Sequence, residues 1–192
     1  KKIGFNDFSG GIAASGGTLS NLNALIAARY NAGLGSDPNS VLLVSEDAHS
    51  SFVKCIRVMG LDTRNLVRIK TDNQGRMDIN DLRNSLDKCS IENKKIFAIV
   101  ATLGTTVRGA IDPIKEISEI CKQRNIWLHI DGSIGGIFAI TSIPIEGLNN
   151  INQANSITIN PQKIIGITKT SSLLLVSNMS TLENTFNTGL PY

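Results

Sequence analysis

The hydrophobic positions along the chain alternate between a helical and a strand pattern. Leu22, Leu25 and Ile26 follow the spacing of one helix face, which predicts a helix over 19–30. The continuous apolar run 41–44 predicts a short strand that is buried on both faces. The same patterns predict further strands over 66–69, 95–101, 126–130, 156–159 and 172–176, and further helices over 50–59, 79–89 and from 113 to about 121. Strands that alternate with helices indicate an α/β protein with a mainly parallel sheet.

Two aspartates are predicted to begin helices. Asp78 directly precedes a helical pattern, and Asp112 precedes Pro113, a residue favoured at the first helical position. We therefore expect the carboxylates of both aspartates to accept hydrogen bonds from the first backbone N–H groups of these helices.

The composition is typical of a single globular domain. Of the 192 residues, 41% are hydrophobic and 18% are charged, so the chain is too apolar for a disordered segment and long enough for one core. The net charge of +3 is too small to indicate binding to nucleic acid or to an acidic membrane surface. No apolar run reaches the roughly 20 residues that span a bilayer. We expect one domain over 1–192, with neither nucleic acid nor membrane as a partner.

The cysteines and the chain ends add two expectations. Cys55, Cys89 and Cys121 are odd in number and far apart, which argues against a disulfide framework and against a metal site. A reducing, cytoplasmic location is therefore expected. The chain starts at Lys1 without a methionine and stops at Tyr192 without a charged tail, so we expect it to be part of a longer protein.

Polar side chains follow several of the predicted strands, at the point where each strand ends. They are His49, Thr102, Thr105, Asp131, Asn160 and Lys163. Taken singly, each has an ordinary explanation as a helix cap, a structural histidine or a solvated lysine. Because ligands of open α/β sheets bind beyond the carboxyl ends of the strands, their shared location indicates one binding site.

A glycine-rich segment precedes the first predicted helix. Residues 15–21 read SGGTLSN, and glycines before a helix allow an anion to approach free backbone N–H groups. A simple turn or a helix cap is the alternative. The segment matches neither GxGxxG nor GxxxxGK[ST], which argues against a dinucleotide or a nucleoside triphosphate. A smaller phosphate ester fits better.

The candidate side chains together suit pyridoxal 5'-phosphate. This cofactor requires a lysine for a Schiff base, an acid at its ring nitrogen, a flat group against the ring and an anion cradle for its phosphate. The sequence offers Lys163, Asp131, His49 and the glycine-rich segment for these tasks.

Five segments of the chain resemble the group II pyridoxal-phosphate-dependent amino acid decarboxylases, the family of glutamate, aromatic amino acid and diaminobutyrate decarboxylases. The segments are SGGTLSNL at 15–22, DAHSS at 47–51, ATLGTT at 101–106, WLHID at 127–131 and NPQK at 160–163. They occur in the family's order and at similar spacings. The resemblance implies the large domain of a fold-type I transferase, similar to aspartate aminotransferase, with helices on both faces of the sheet. It also implies a homodimer whose small-molecule substrate is an amino acid.

The resemblance also implies roles for individual residues. Lys163 is expected to form the Schiff base, and Asp131 to pair with the pyridine nitrogen. His49 is expected to stack on the ring, and Thr102 to lie at the polar edge of the ring. The residues expected to bind the phosphate are Gly17, Thr18 and Asn160.

Three further positions follow from the same resemblance. Gln162 stands where many relatives have histidine before the lysine, and it is expected to offer hydrogen bonds to the cofactor pocket. Ser133 is expected beneath the ring, where alanine is common. Tyr192 is expected to be the catalytic-loop tyrosine that protonates the carbanion after decarboxylation.

The sequence leaves several alternatives open. Glutamate, an aromatic amino acid, diaminobutyrate and cysteine sulfinate all remain possible substrates. Another fold-type I lyase, such as one acting on a phosphorylated sphingoid base, and a catalytically silent fragment are the competing interpretations. The presence of Lys163, Asp131 and His49 together favours catalysis over the silent alternative.

Overall fold

The computed structural model describes residues 2–145, 147–168 and 171–189 and shows one seven-stranded sheet. The strands are β1 (Gly10–Ala14), β2 (Ser40–Ser45), β3 (Leu66–Ile69), β4 (Lys95–Thr102), β5 (Trp127–Gly132), β6 (Ser156–Ile159) and β7 (Ser172–Val176). Their order across the sheet is β1-β7-β6-β5-β4-β2-β3. Strands β2 to β6 pair in parallel, whereas β7 is antiparallel to both β6 and β1. The predicted mainly parallel sheet is confirmed.

Helices cover both faces of this sheet. They are α1 (Gly17–Asn31), α2 (Ser51–Val58), α3 (Ile79–Ile91), α4 (Ile114–Arg124), α5 (Pro161–Ile164) and α6 (Ser180–Phe186). Short 3-10 helices span Thr63–Asn65, Gly135–Ile140 and Leu148–Gln153. Apolar side chains of α1, α2 and α6 pack on one face, and those of α3 and α4 pack on the other. The sheet is therefore buried on both sides, as the continuous apolar strands predict.

Most predicted elements are present, with their ends shifted by a few residues. The first helix begins at Gly17 rather than at residue 19, and α3 begins after Asp78, whose carboxylate accepts from the N–H groups of Asn80 and Asp81. That cap is confirmed. Strand β1 was not predicted, because its Gly10 and Gly11 provide no apolar alternation.

The predicted helix cap at Asp112 is wrong. Pro113 occupies the N-cap position of α4, which has no side-chain cap, and Asp112 turns its carboxylate into the protein, where the residue is 1% exposed. Its two oxygens accept from the backbone N–H groups of Met77 and Thr102, each at 2.7 Å. The reason is that these two N–H groups would otherwise be buried without a partner. Asp112 therefore fixes the end of β4.

We predict that Asp112→Asn destabilises the fold, because the amide replaces one acceptor with a donor that faces a backbone N–H group. The free energy of unfolding should fall by about 1–3 kcal/mol. Burial raises the pKa of Asp112 to about 6, against the effect of its two N–H donors. From about pH 4 to about pH 6 the folded chain holds a proton that the unfolded chain has lost, so the contribution of Asp112 to stability declines as the pH rises.

The cost of Asp112→Asn should therefore be larger near pH 4 than near pH 7. Urea unfolding at both pH values measures it. Asp87→Asn is the control, since Asp87 is an exposed partner of Arg124. An Asp112→Asn chain as stable as the parent at both pH values would contradict this assignment.

Three further expectations concern cysteines, membranes and metals. Cys55, Cys89 and Cys121 are free thiols and are all buried. Within residues 2–145, 147–168 and 171–189, no helix is long and apolar enough to cross a membrane. The same residues contain no group of three or more histidine, cysteine or acidic side chains that could hold a metal ion.

Candidate active site

An open cavity of about 170 Å³ lies beyond the carboxyl ends of β4, β5 and β6, beside the start of α1. Nine of the predicted site residues line it: Gly17, Thr18, His49, Thr102, Asp131, Ser133, Asn160, Gln162 and Lys163. The structure thus brings together residues that are spread over most of the chain. Tyr192 lies outside the described residues, and its role stays a prediction.

Asp131 is the penultimate residue of β5 and lines this cavity. It is 4% exposed and lies opposite Thr102 in the pairing of β5 with β4. Its Oδ1 accepts from the backbone N–H of Ser133, and its Oδ2 accepts from Nδ2 of Asn21, both at 3.1 Å. Hydrogen bonds from two sides fix the carboxylate in one orientation, and such bonds stabilise a negative charge.

The start of α1 and the end of β6 form an anion-binding corner. Helix α1 begins at Gly17 without a side-chain cap, so its first N–H groups are available to an anion. Oδ1 of Asn160 accepts from the hydroxyl of Ser172, which leaves the Asn160 amide nitrogen facing Gly17. A Cβ atom at Gly17 would lie 2.5 Å from that nitrogen and 2.9 Å from Oγ of Ser133. A side chain at Gly17 would therefore have to displace the amide of Asn160 or the hydroxyl of Ser133.

Lys163 and His49 line the more open part of the cavity. Lys163 lies on the short helix α5, three residues after Asn160, and its side chain is exposed. His49 follows β2, and its Nδ1 accepts from the backbone N–H of Ser51 at 3.1 Å. Because this nitrogen accepts, the ring proton lies on Nε2, and the hydrogen bond sets the orientation of the ring.

Two buried hydroxyl groups at the cavity have no partner. Within the part of the chain that the structure describes, Oγ1 of Thr102 and Oγ of Ser51 accept and donate no hydrogen bond. Both residues line the cavity. Buried polar atoms are normally paired, so these two hydroxyls indicate a place for a polar ligand.

Gln162 makes a hydrogen bond within the protein, and its expected role toward the cofactor stays a prediction. Its Oε1 accepts from the backbone N–H of Ser171 at 2.7 Å, so this oxygen is already engaged within the protein. Gln162 also lines the cavity. Its amide N–H₂ group remains the part of the side chain that can donate to a ligand.

Some lining residues were not singled out from the sequence. Asn21 and Ser51 belong to the segments quoted above, but nothing in the sequence assigned them a task. The signal for Asn21 is its position one turn after Gly17, on the same helix face. Gly104, Thr106 and Ile134 complete the wall of the cavity.

Comparisons with known proteins agree with this arrangement. The family model for the pyridoxal-dependent decarboxylase conserved domain matches residues 2–192. Over 162 residues the chain is 36% identical to the acidic amino acid decarboxylase GADL1 of Xenopus tropicalis, which involves 81% of this chain and 32% of that protein. Over 185 residues it is 32% identical to the aromatic-L-amino-acid decarboxylase of Bacillus atrophaeus, which involves 96% of this chain and 38% of that protein.

The fold is similar to solved structures of the same kind. The crystal structure of mouse CSAD matches with a TM-score of 0.89 and 30% identity, over 96% of this chain and 40% of that one. The chain thus spans about a third to two fifths of the relatives that it matches. It belongs to the family of pyridoxal-dependent amino acid decarboxylases.

Proposed function

We propose that this chain binds pyridoxal 5'-phosphate covalently at Lys163 and that the protein removes the α-carboxylate of an L-amino acid as CO2. The observation that carries the proposal is that the required groups share one cavity. It combines an amine (Lys163), a buried carboxylate (Asp131) and an anion-binding corner at Gly17. A homodimer is part of the proposal, supported by the exposed isoleucines that follow Lys163, and sedimentation of the purified protein tests it.

The residues present fit this cofactor. Gly17 leaves no room for a side chain beside the amide of Asn160, which suits a phosphate group held by backbone and amide N–H donors. The unpartnered hydroxyl of Thr102 offers a hydrogen bond to a polar ring substituent. Asp131 is a fixed carboxylate that can accept from a protonated ring nitrogen.

When bound, pyridoxal phosphate accepts the electron pair that CO2 leaves behind on the α-carbon. The task of the protein is then to hold charges and protons in place. Asp131 keeps a negative charge where a ring nitrogen needs a partner, and the first turn of α1 attracts the phosphate dianion. Lys163 supplies the primary amine and can carry a proton at Nζ. The ring of His49 lies at the cavity, where it offers a flat face and an Nε2 proton.

Gly17→Ala tests the anion-binding corner. The added Cβ would displace the amide of Asn160 or the hydroxyl of Ser133, so the apparent dissociation constant for pyridoxal phosphate should rise about 10-fold or more. Quenching of Trp127, the only tryptophan of the chain, measures this constant. Gly35→Ala is the control, because Gly35 is exposed, has no positive φ, and an added Cβ would meet only Cδ2 of Tyr30 at 4.0 Å. Equal affinities for the parent and the Gly17→Ala chain would contradict the assignment.

The proposed reaction is tested by CO2 release from a panel of L-amino acids. Purified protein is supplied with pyridoxal phosphate and then with glutamate, aspartate, cysteine sulfinate, 2,4-diaminobutyrate, tryptophan, tyrosine or phenylalanine. We expect cofactor-dependent release of CO2 from at least one acidic, basic or aromatic member of the panel. A protein that takes up the cofactor but releases no CO2 from any of them would overturn the proposed reaction.

A further inference from the structure

A row of hydrogen-bonded side chains leads from Trp127 to Asp131 behind the candidate active site, and its members before Asp131 have no task in the reaction proposed above. It connects the start of β5 to its end through a neighbouring strand and through α1. We propose that Asn21 and His129 are positioning residues that hold the Asp131 carboxylate for its partner in the cavity.

The contacts form a continuous path. Nε1 of Trp127 donates to Oγ of Ser156 at 2.8 Å, and the same Oγ lies 2.8 Å from Nδ1 of His129. Nε2 of His129 lies 3.1 Å from Oδ1 of Asn21. Nδ2 of Asn21 then donates to Oδ2 of Asp131 at 3.1 Å. His129 and Ser156 are fully buried, and Asn21 and Asp131 are 1% and 4% exposed.

Donor and acceptor chemistry allows only one direction along this path. A carboxylate can only accept, so Asn21 must direct its amide N–H₂ group at Asp131 and its oxygen at His129. The His129 nitrogen that faces this oxygen must carry the ring proton, which places the proton on Nε2. Nδ1 is then bare and accepts from the hydroxyl of Ser156, whose oxygen in turn accepts from the indole N–H of Trp127, a group that can only donate.

The state of His129 agrees with this direction. Its complete burial lowers the pKa of the imidazole to about 4, against the opposing effects of Asp131 and Ser156. The ring is therefore neutral near pH 7, and a neutral ring has one donor and one acceptor nitrogen, as the path requires.

Among the residues that the structure describes, Asn21 alone donates a hydrogen bond to the oxygen on which the path ends. Oδ1 of Asp131 is held by its own strand end through Ser133, whereas Oδ2 depends on Asn21. Asn21 lies on α1, one turn beyond the anion-binding corner, and is itself oriented by His129. The path thus fixes the Asp131 carboxylate relative to the helix that binds the phosphate.

The first test examines the path without any cofactor. The chain has only two histidines, so a nitrogen NMR spectrum of histidine-labelled chain contains two imidazoles, and His49→Gln assigns them. We expect His129 to be neutral with its proton on Nε2 throughout the range of about pH 5 to 8, and Asn21→Leu to shift its Nε2 resonance. A proton on Nδ1, or a resonance that Asn21→Leu leaves unchanged, would overturn the proposal.

The second test rests on the proposed function and measures affinity for pyridoxal phosphate by the visible absorption of the bound cofactor. Asn21→Leu and His129→Phe should each raise the apparent dissociation constant about 10-fold or more, the range expected for the loss of a hydrogen bond to a charged group. His129→Gln, whose amide can still donate to Asn21, should restore most of the affinity. If His129 had only a structural role, His129→Phe and His129→Gln would not differ in their affinity for the cofactor.

Leu128→Ala is the matched control. Leu128 is buried beside His129 on β5 but packs on the opposite face of the sheet. Leu128→Ala should therefore lower the free energy of unfolding and leave the affinity for pyridoxal phosphate within about twofold of the parent. An Asn21→Leu chain with the affinity of the parent would overturn the proposal while the proposed function stands. If the parent chain takes up no cofactor, the proposed function fails, and the histidine spectrum alone decides whether the path exists.

Discussion

Replacing Lys163 with alanine should abolish covalent uptake of pyridoxal phosphate and lower CO2 release by on the order of 1,000-fold or more. The physical reason is that Lys163 provides a primary amine at the cavity, where the other polar side chains of the lining are carboxylate, amide, hydroxyl and imidazole groups. The fold should be unaffected, because the side chain is exposed and lies on a helix of four residues. Visible absorption after addition of the cofactor, together with the rate of CO2 release, measures the effect.

Lys122→Ala provides the control for this change. Lys122 is an exposed lysine of α4, which packs on the face of the sheet opposite α1. It should keep both the visible band and the rate of the parent. A Lys163→Ala protein that retains the absorption and the rate of the parent would remove the basis of the proposed function.

Asp131→Asn is the second change with a large expected effect. A neutral amide cannot balance a protonated ring nitrogen, and loss of one such electrostatic contact lowers rates by on the order of 100- to 1,000-fold. The substitution also places an amide N–H₂ group where Asn21 or Ser133 now donates. We therefore expect a folded protein that still takes up the cofactor, with its rate of CO2 release lowered by that factor.

The comparison for Asp131→Asn is Asp87→Asn, an exposed aspartate of α3 that contacts Arg124. Circular dichroism and a thermal melt establish that both proteins are folded before rates are compared. The expected result is a normal rate for Asp87→Asn and a strongly lowered rate for Asp131→Asn. Equal rates for the two proteins would show that Asp131 has no electrostatic role.

Six of the seven strands and the candidate site could be predicted because both depend on local patterns. An apolar run such as 41–44 is buried wherever its neighbours come from, so the strand follows from the sequence alone. The carboxyl ends of parallel strands meet at one sheet edge, so Asp131 and Asn160 could be placed together before the strand order was known. The resemblance to a known family then gave each of these residues an expected task.

Features that depend on partners distant in the sequence could not be predicted. His129 lies between two apolar residues of a strand, and its partner Asn21 is 108 residues away. The position of Asp112 before Pro113 indicates a helix cap. Its carboxylate instead lies in the core, where it accepts from the backbone N–H of Met77, 35 residues earlier. In both cases a buried polar group is satisfied by an element that only the tertiary structure brings near.

The most direct test of the proposed cofactor site is the position at which pyridoxal phosphate attaches. The protein is incubated with the cofactor, reduced with borohydride to make the attachment permanent, digested, and its peptides are weighed by mass spectrometry. We predict the mass of the reduced cofactor on the peptide that contains Lys163 and on no other peptide. Attachment at a different lysine, or no attachment in a protein that circular dichroism shows to be folded, would contradict the proposed cofactor site.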